Sequence, residues 1–208
     1  HETPQGSVVS RSDLQSALDG LDARNWAARP NRIEVLRKAL SGKGGVIRKA
    51  LAETAALDMT SQTLPGPTGE SNRLAMYPKG SVLCLGPSLD IAIAQAAQAL
   101  GTGCAAVVVA PGAEQAVKPL IDAGAPVIGL DGCLPTETVS EVKGIAAVAA
   151  AGSSEWTREL RIALAKRDGA IISLETQTIS PDRYVVERHL CIDTTAAGGN
   201  ASLLATAE

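Results

Sequence analysis

The stretch SVLCLGPSLDIAIAQAAQALGTGCAAVVVA, residues 81–110, holds two short apolar runs separated by a longer alanine-rich run. The runs at 81–86 and 105–110 are apolar at nearly every position, which is typical of strands buried on both faces. The run at 88–101 begins with Ser-Leu-Asp, a helix N-terminal signal, and predicts a helix. This order of strand, helix and strand predicts a parallel pair joined by a crossover helix.

The same alternation continues toward the C terminus. Further strands are predicted at 126–131, 144–150 and 170–175, and further helices at 113–124, 135–143 and 154–168. Together these elements predict an α/β fold over residues 81–183, a doubly wound, Rossmann-like and mostly parallel sheet with helices on both faces. Aromatic residues make up only 2% of the chain, so the core must consist of Ala, Val, Leu and Ile.

The flanking segments have a different composition. Residues 1–11 are expected to be a flexible tail or a cloning remnant, and residues 12–63 read as a helical appendage that docks on something. Residues 64–80 contain three prolines and three glycines, which predicts an extended linker. Residues 184–208 are expected to form a β-arm, either one long strand or a hairpin arm, followed by a glycine-rich tail.

Charge and hydropathy exclude several classes of protein. The formal net charge is −3 and no basic run exceeds two residues, so we expect no nucleic-acid partner. No uninterrupted apolar run reaches the roughly 18 residues that a membrane-spanning helix needs. We therefore expect a cytoplasmic protein without a membrane span.

The cysteines and histidines indicate neither disulfides nor a metal site. The four cysteines are Cys84, Cys104, Cys133 and Cys191. They show no Cys-x-x-Cys spacing and lie among apolar residues, so they are predicted to be buried free thiols. His189 has no His, Cys or carboxylate at metal-ligand spacing, so no metal is expected.

A nucleotide in such a sheet would lie over a glycine-rich turn at the carboxyl ends of the strands. The first turn has only Gly86 followed by proline, and lacks the Gly-x-Gly-x-x-Gly pattern. Asp131, at the end of the third strand, could shape a loop or bind a ribose. Gly152 and Ser153 form the best candidate turn, but Ser153 could simply cap the next helix, and Glu155 would repel a phosphate there.

No catalytic set can be assembled from these residues. Glu175 ends an apolar strand and is the one carboxylate that could be desolvated into a general base. His189 has no serine and carboxylate partners for a triad, and no cysteine has a nearby base to activate it.

Four stretches together resemble one family. They are LPGPTGESNRL (64–74), YPKGSVLCLG (77–86), AKRDGAIISLET (165–176) and ERHLCIDTTAAGGNASLLA (187–205). They are similar to the C-terminal region of long proline utilization A proteins, multifunctional enzymes that oxidise proline to glutamate. The resemblance runs from Leu64 to Glu208, and it implies an aldehyde dehydrogenase-like fold that follows the true dehydrogenase domain.

Within that fold, Gly152, Ser153 and Glu155 resemble the aldehyde dehydrogenase turn Gly-Ser-Thr-Glu over the nicotinamide cofactor, with Ser154 in place of threonine. Ala110 stands where the family has a lysine that holds the cofactor's ribose. The resemblance therefore implies a vestigial turn at Gly152 and Ser153 that has lost a cofactor-binding group.

The catalytic positions depart from the family as well. Glu175 matches the family's catalytic glutamate, but Thr176 and Gln177 replace the glycines that usually follow it. Cys191 does not carry the motif around the nucleophilic cysteine. The resemblance thus implies no catalytic residue and no cofactor in this segment, while the parent chain would use FAD and NAD.

What the family resemblance implies is a non-catalytic structural domain. It would pack on the catalytic domains of the same parent chain and help to seal the passage of glutamate semialdehyde or pyrroline carboxylate between active sites. The closing tail is associated with that seal. Its expected contact residues, in the tail or with another domain, are Thr194, Thr195, Gly198, Gly199 and Asn200.

Two other functions remain open. The chain could be an independent oxidoreductase-type domain that binds NAD or another nucleotide at Gly152 and Ser153. It could also be a dimerisation module whose 184–200 arm reaches a second copy, giving a homo-oligomer.

Overall fold

A computed structural model of the chain describes residues 7–193. Its helices are α1 Arg11–Asp19, α2 Arg24–Ala27, α3 Arg32–Ala39, α4 Gly45–Ala56, α5 Leu89–Gly101, α6 Ala113–Asp122 and α7 Ser154–Ala165. Its strands are β1 Gln62–Leu64, β2 Glu70–Pro78, β3 Ser81–Gly86, β4 Ala105–Val109, β5 Val127–Leu130, β6 Ile145–Ala150, β7 Ser173–Glu175 and β8 Val185–Asp193. No helix in this part of the chain is long and apolar enough to cross a membrane.

The chain divides into two compact units. The larger unit comprises the chain up to Leu57 together with Pro78–Val185. The smaller unit comprises Asp58–Tyr77 and the chain from Val186 onward.

The larger unit is built on a five-stranded sheet with the order β5-β4-β3-β6-β7. Every neighbouring pair is parallel, and Leu83 of β3 lies between Val107 of β4 and Val148 of β6. The chain runs outward from β3 through β4 and β5, then crosses to the other side for β6 and β7. This winding places a topological switch point between β3 and β6, and it confirms the predicted doubly wound α/β fold.

Helix α5 is buried on all sides. Every residue from Ala92 to Gly101 is buried, which requires protein on both faces of the helix. One face packs on the sheet, and α3 and α4 cover the other with Leu36, Ile47 and Leu51, which belong to the same apolar cluster. Alanine suits this position because its small side chain lets the neighbouring layers approach closely.

The helices predicted for the appendage at 12–63 form, and they pack within the larger unit. Helices α3 and α4 complete the layer over α5, and the Trp26 indole donates a hydrogen bond of 2.8 Å to the buried Leu100 carbonyl. Helix α1 packs on the opposite face of the sheet, where Leu14 and Leu18 share a cluster with Leu160 of α7. The apolar faces of these helices pack against other residues of the larger unit.

The predicted flexible tail at 1–11 is corrected for residues 7–11. The Val9 amide donates to the Cys133 carbonyl at 2.9 Å, and the Val9 side chain is buried. The Ser10 hydroxyl accepts a hydrogen bond from the Asp13 amide and caps α1.

Between β5 and β6, the helix predicted at 135–143 is a single 3₁₀ turn, Thr136–Ser140. The β-branched residues of this segment and its initial Pro135 disfavour a longer helix.

The smaller unit contains a three-stranded sheet with the order β1-β2-β8. Strand β2 occupies most of the predicted linker 64–80, because the prolines and glycines lie before Glu70 or from Pro78 onward and bracket the strand. Strand β8 forms most of the described part of the predicted β-arm and pairs with β2 in this sheet. In the same sheet, His189 Nε2 lies 3.2 Å from Asn72 Oδ1.

All four cysteines are free, but the prediction that they are buried holds for only two of them. Cys84 and Cys104 lie in the core of the larger unit, and burial raises the pKa of both thiols. Cys133 is half-buried, and Cys191 is exposed because both faces of β8 beyond Val185 are exposed.

The contact of β5 with α6 gives a stability prediction. A Cβ atom at Gly129 would lie 2.6 Å from the backbone carbon and oxygen of Ala113, where α6 begins. Backbone atoms cannot move aside cheaply, so we expect Gly129→Ala to lower the free energy of unfolding by about 1–3 kcal/mol in urea titrations. Gly45→Ala is the matched control, because nothing lies within 4 Å of the added carbon. That variant should stay within about 0.5 kcal/mol of the parent, and equal losses in both variants would contradict the close packing.

Candidate functional site

The main pocket of the larger unit has a volume of about 700 Å³ and lies at the carboxyl ends of β3, β4, β5 and β6. Its lining residues are Leu85, Pro87, Ser88, Leu89, Val109, Ala110, Pro111, Gly132, Cys133, Leu134, Gly152, Ser153 and Trp156. Ligands of open parallel sheets bind in this position, at the switch point. Gly152 and Ser153, the candidate turn of the sequence analysis, lie in the lining of this pocket.

No charged side chain is among the described residues that line this pocket. The N-termini of α5 and α7 reach it and carry partial positive charge, but Asp90 and Glu155 in their first turns oppose an anion there. Ala110, where the sequence resemblance implies a lysine in the family, is buried in the wall of the pocket. The described lining therefore offers no cationic side chain to the pyrophosphate of a dinucleotide.

The turn at Gly152 and Ser153 caps α7 and packs against Trp156. The Ser153 hydroxyl accepts a hydrogen bond from the Trp156 amide at 3.3 Å and so caps α7, and the Thr157 hydroxyl donates to the Ser153 carbonyl at 3.0 Å. A Cβ atom at Gly152 would overlap the ring of Trp156. The glycine at this turn therefore makes room for an indole, and that ring lines the space beside it.

The first turn of the sheet has no free backbone donor at Gly86. Its amide donates to Gln95 Oε1 at 3.0 Å, and Gln95 is fully buried on α5. A phosphate at the carboxyl end of β3 would have to compete with this hydrogen bond.

Asp131 shapes a loop. Its Oδ1 accepts a hydrogen bond of 2.8 Å from the Glu114 amide in the first turn of α6, where Gly112 offers no side-chain cap. Asp131 is not among the lining residues of the pocket. Of the two alternatives at this position, the structure favours the loop over ribose binding.

Glu175 is held by two cations. Its Oε1 lies 3.8 Å from Lys79 Nζ, and its Oε2 lies 4.0 Å from Arg183 Nε. Lys79 also donates to the Ser173 hydroxyl at 3.2 Å, and the Glu175 side chain is only 12% exposed. A general base would need a desolvated carboxylate facing a substrate, whereas this one is ion-paired and does not line the pocket.

The remaining candidates lie elsewhere. His189 contacts Asn72 in the smaller unit, and no cluster of three potential metal ligands occurs within residues 7–193. The predicted tail contacts, Thr194, Thr195, Gly198, Gly199 and Asn200, lie outside the described residues.

The sequence analysis did not identify the side chains that contact Gly152 and Glu175. Trp156 could have been found from its spacing, because a residue four positions after Gly152 returns to the same side of the first helical turn. Lys79 and Arg183 carried no local signal, since they are distant from Glu175 in the chain.

The chain is similar to PutA proteins in both sequence and fold. Bifunctional protein PutA of Escherichia coli is 34% identical over 202 residues, and the alignment covers 93% of this chain and 14% of PutA. A crystal structure of a Bradyrhizobium japonicum proline utilization A (PutA) variant superposes with a TM-score of 0.66 at 25% identity, covering 81% of this chain and 22% of that one. No protein-family model matches the chain.

An NAD-dependent benzaldehyde dehydrogenase from Corynebacterium glutamicum shares the fold, with a TM-score of 0.62 at 18% identity over 80% of this chain and 46% of that one. The resemblance to PutA and to aldehyde dehydrogenases that the sequence motifs indicated is thereby confirmed. The chain is a homologue of the bifunctional PutA proteins, corresponds to a segment of only 14% of the E. coli protein, and carries an aldehyde dehydrogenase-like α/β fold.

Proposed function

We propose that the chain is a non-catalytic structural domain of a longer proline-oxidising protein. The observation that carries this proposal is the switch-point pocket, whose described lining has no charged side chain and is walled by the Trp156 ring over Gly152. The aldehyde dehydrogenase fold is kept, while the positions that would hold a dinucleotide serve packing and helix capping. FAD and NAD would then belong to the catalytic domains of the longer chain.

The ion-paired state of Glu175 supports the same proposal. A catalytic glutamate must accept and release a proton at the substrate, and its position has to face the pocket. Here the carboxylate joins Lys79, from the start of β3, to Arg183, from the turn before β8. The residue has a structural role in this chain.

We further propose that the domain packs on the catalytic domains of its parent and helps to seal the passage of the reactive intermediate. The support for this role is the homology with bifunctional PutA over nearly the whole chain, together with a site that offers no chemistry of its own. The tail beyond residue 193 would contribute to the seal.

Titration of the 208-residue chain with NAD⁺ and NADH tests the loss of cofactor binding. We expect no binding, or a Kd weaker than about 1 mM, because no cation in the pocket balances the pyrophosphate. An NAD-dependent aldehyde dehydrogenase under identical conditions is the positive control. Binding tighter than about 1 mM that Gly152→Ala abolishes would replace this proposal with the nucleotide-binding alternative.

Substitution of Glu175 tests its structural role. We expect Glu175→Gln to lower the free energy of unfolding by about 1–3 kcal/mol, because the partly buried Lys79 loses the counter-charge of a carboxylate that is itself mostly buried. Asp182→Asn is the matched control, since that carboxylate faces the same Arg183 at 3.7 Å with a side chain that is 60% exposed. It should change stability by no more than about 0.5 kcal/mol in the same urea titration. Equal effects of the two substitutions would argue against a structural ion pair at Glu175.

Deletion of residues 194–208 from the longer parent chain tests the seal. Each half-reaction should remain nearly intact, whereas the coupled conversion of proline to glutamate should show a lag while the intermediate escapes and accumulates in solution. Deletion of residues 1–6 serves as the control and should show no lag. A coupled assay without a lag in the tail deletion would contradict the sealing role and leave the NAD result unaffected.

A further inference from the structure

Helices α3 and α4 of the larger unit carry the same six-residue pattern. Val-Leu-Arg-Lys-Ala-Leu spans residues 35–40, and Val-Ile-Arg-Lys-Ala-Leu spans residues 46–51. In both copies the second and sixth residues are buried in the apolar cluster that includes α5, and the Arg-Lys pair is exposed. Each helix therefore presents the same two cations to the outside, and Lys43 is exposed in the loop between the helices.

The exposed cations of this repeat have no ionic partner. We call them the basic face: Arg37, Lys38, Lys43, Arg48 and Lys49. Residues 35–52 contain no acidic residue, and within residues 7–193 no carboxylate lies within 4 Å of any of these cations. The formal net charge of the chain is −3, so the basic face differs in sign from the chain as a whole. Its positive charge is therefore available to an anionic partner.

Helix stability accounts for only part of this charge. The first Arg-Lys pair lies in the last turn of α3, where the helix dipole favours cations. Lys43 and Arg48 lie just before α4 and in its first turn, where the dipole disfavours them, and that turn contains no acid. Asp90 Oδ2 would lie 3.7 Å from a Cβ atom at Gly44, but in the described part of the chain it forms no ion pair with these cations. An anionic partner would offset the unfavourable placement.

The chemistry of the surface narrows the class of partner. Of the large apolar side chains that are exposed in the described part of the chain, none lies between residues 10 and 76. The basic face therefore has no apolar anchor for a bilayer and no aromatic ring on which a base could stack. Duplex nucleic acid or an anionic membrane would also extend beyond the basic face and meet the net negative remainder of the chain. A compact acidic patch on a folded protein contacts the basic face alone.

We propose that the basic face docks on an acidic patch in another segment of the same longer chain, an inference that rests on the proposed function. Exposed ion pairs are individually weak, so this set would hold a free partner with roughly millimolar affinity at best. Two segments of one chain have an effective concentration of about the same size, so a contact too weak for a free partner is sufficient between them. The chain aligns with 14% of E. coli PutA, so a parent of similar length would have most of its residues available to supply the acids.

Carbodiimide cross-linking of the longer parent chain tests the proposal, because this reagent joins a lysine amine to a carboxylate only where the two are in contact. We expect Lys38, Lys43 and Lys49 to form cross-links to Asp or Glu residues outside the 208-residue segment, identified by mass spectrometry of peptides. These cross-links should disappear in about 0.5 M NaCl, which screens exposed charges.

Lys118 is the matched control lysine. It is exposed on α6 and, within residues 7–193, lies near no carboxylate that could form an ion pair with it. It should cross-link to the rest of the parent with at most about one fifth of the yield of the basic-face lysines, because exposure without a docked partner gives only chance encounters.

Neutralising the two arginines separates docking from simple exposure of the lysines. The double variant Arg37→Gln and Arg48→Gln keeps the lysines that report the contact, and we expect their cross-link yield to fall at least about fivefold. Arg158→Gln is the matched control, since Arg158 is exposed on α7 and has no ion pair within the described residues. It should leave the yield unchanged. Circular dichroism checks that each variant is folded.

Three results would overturn the proposal. The first is the absence of cross-links from the basic-face lysines to the rest of the parent, and the second is an equal yield from Lys118. The third is binding of the 208-residue chain to duplex DNA or to phosphatidylglycerol vesicles, in about 0.15 M salt, that the double arginine variant loses. That result would assign the basic face to nucleic acid or to a membrane.

Failure of this proposal is distinguishable from failure of the proposed function. Cross-links that arise only from Lys118 would reject docking through the basic face and would still agree with a domain that packs on the rest of its parent. The NAD titration and the coupled assay test the proposed function without reference to the basic face.

Discussion

The complete burial of α5 from Ala92 to Gly101 is the constraint on which the rest of the larger unit depends. A helix with no exposed face has to be covered by the sheet on one side and by other helices on the other side. The alanines of α5 allow both layers to approach, and the N-terminal helices exist in this unit as the second layer. The polar groups on such a helix must also be paired inside the protein, because no water reaches them.

Two glutamines of α5 show how this pairing organises the surrounding loops. Gln98 donates to the Thr178 carbonyl at 2.9 Å and accepts from the Ser180 amide at 2.7 Å, which ties the segment after β7 to the helix. Gln95 accepts from the Gly86 amide and so fixes the turn after β3. Its Nε2 is left without a partner among the described atoms, a cost of about 1–3 kcal/mol. Stability and cofactor binding therefore compete for the same backbone donor, and in this chain the helix holds it.

The elements that the sequence predicted correctly are those with a strong local pattern. Strands β3, β4 and β6 are buried on both faces and read as apolar runs, and the order of strands and helices determines the parallel, doubly wound topology. The sequence predicts the N-terminal helices as an appendage because nothing in it identifies their partner. Helix α5 is apolar on nearly every side, so its pattern does not show that a second layer of helices covers it. The sequence analysis did not predict strand β2, because it considered only how many prolines and glycines residues 64–80 contain. These residues lie at the two ends of the segment and leave most of β2 free of them. At the site, the loss of the family's lysine at Ala110 was visible in the sequence, while the indole over Gly152 and the two cations at Glu175 depend on tertiary contacts.

Glu175 shows how a mostly buried carboxylate is paired within this fold. A buried carboxylate without a partner is strongly unfavourable, so a residue of this kind survives in a fold only when it acts on a substrate or is paired. Lys79 lies in the turn before β3, Arg183 lies in the turn before β8, and together they supply the pairing. Gln98 of α5 also holds the second of these turns, because it accepts a hydrogen bond from the Ser180 amide. The charged groups around Glu175 thus pair with one another, whereas the described lining of the pocket carries no charged side chain.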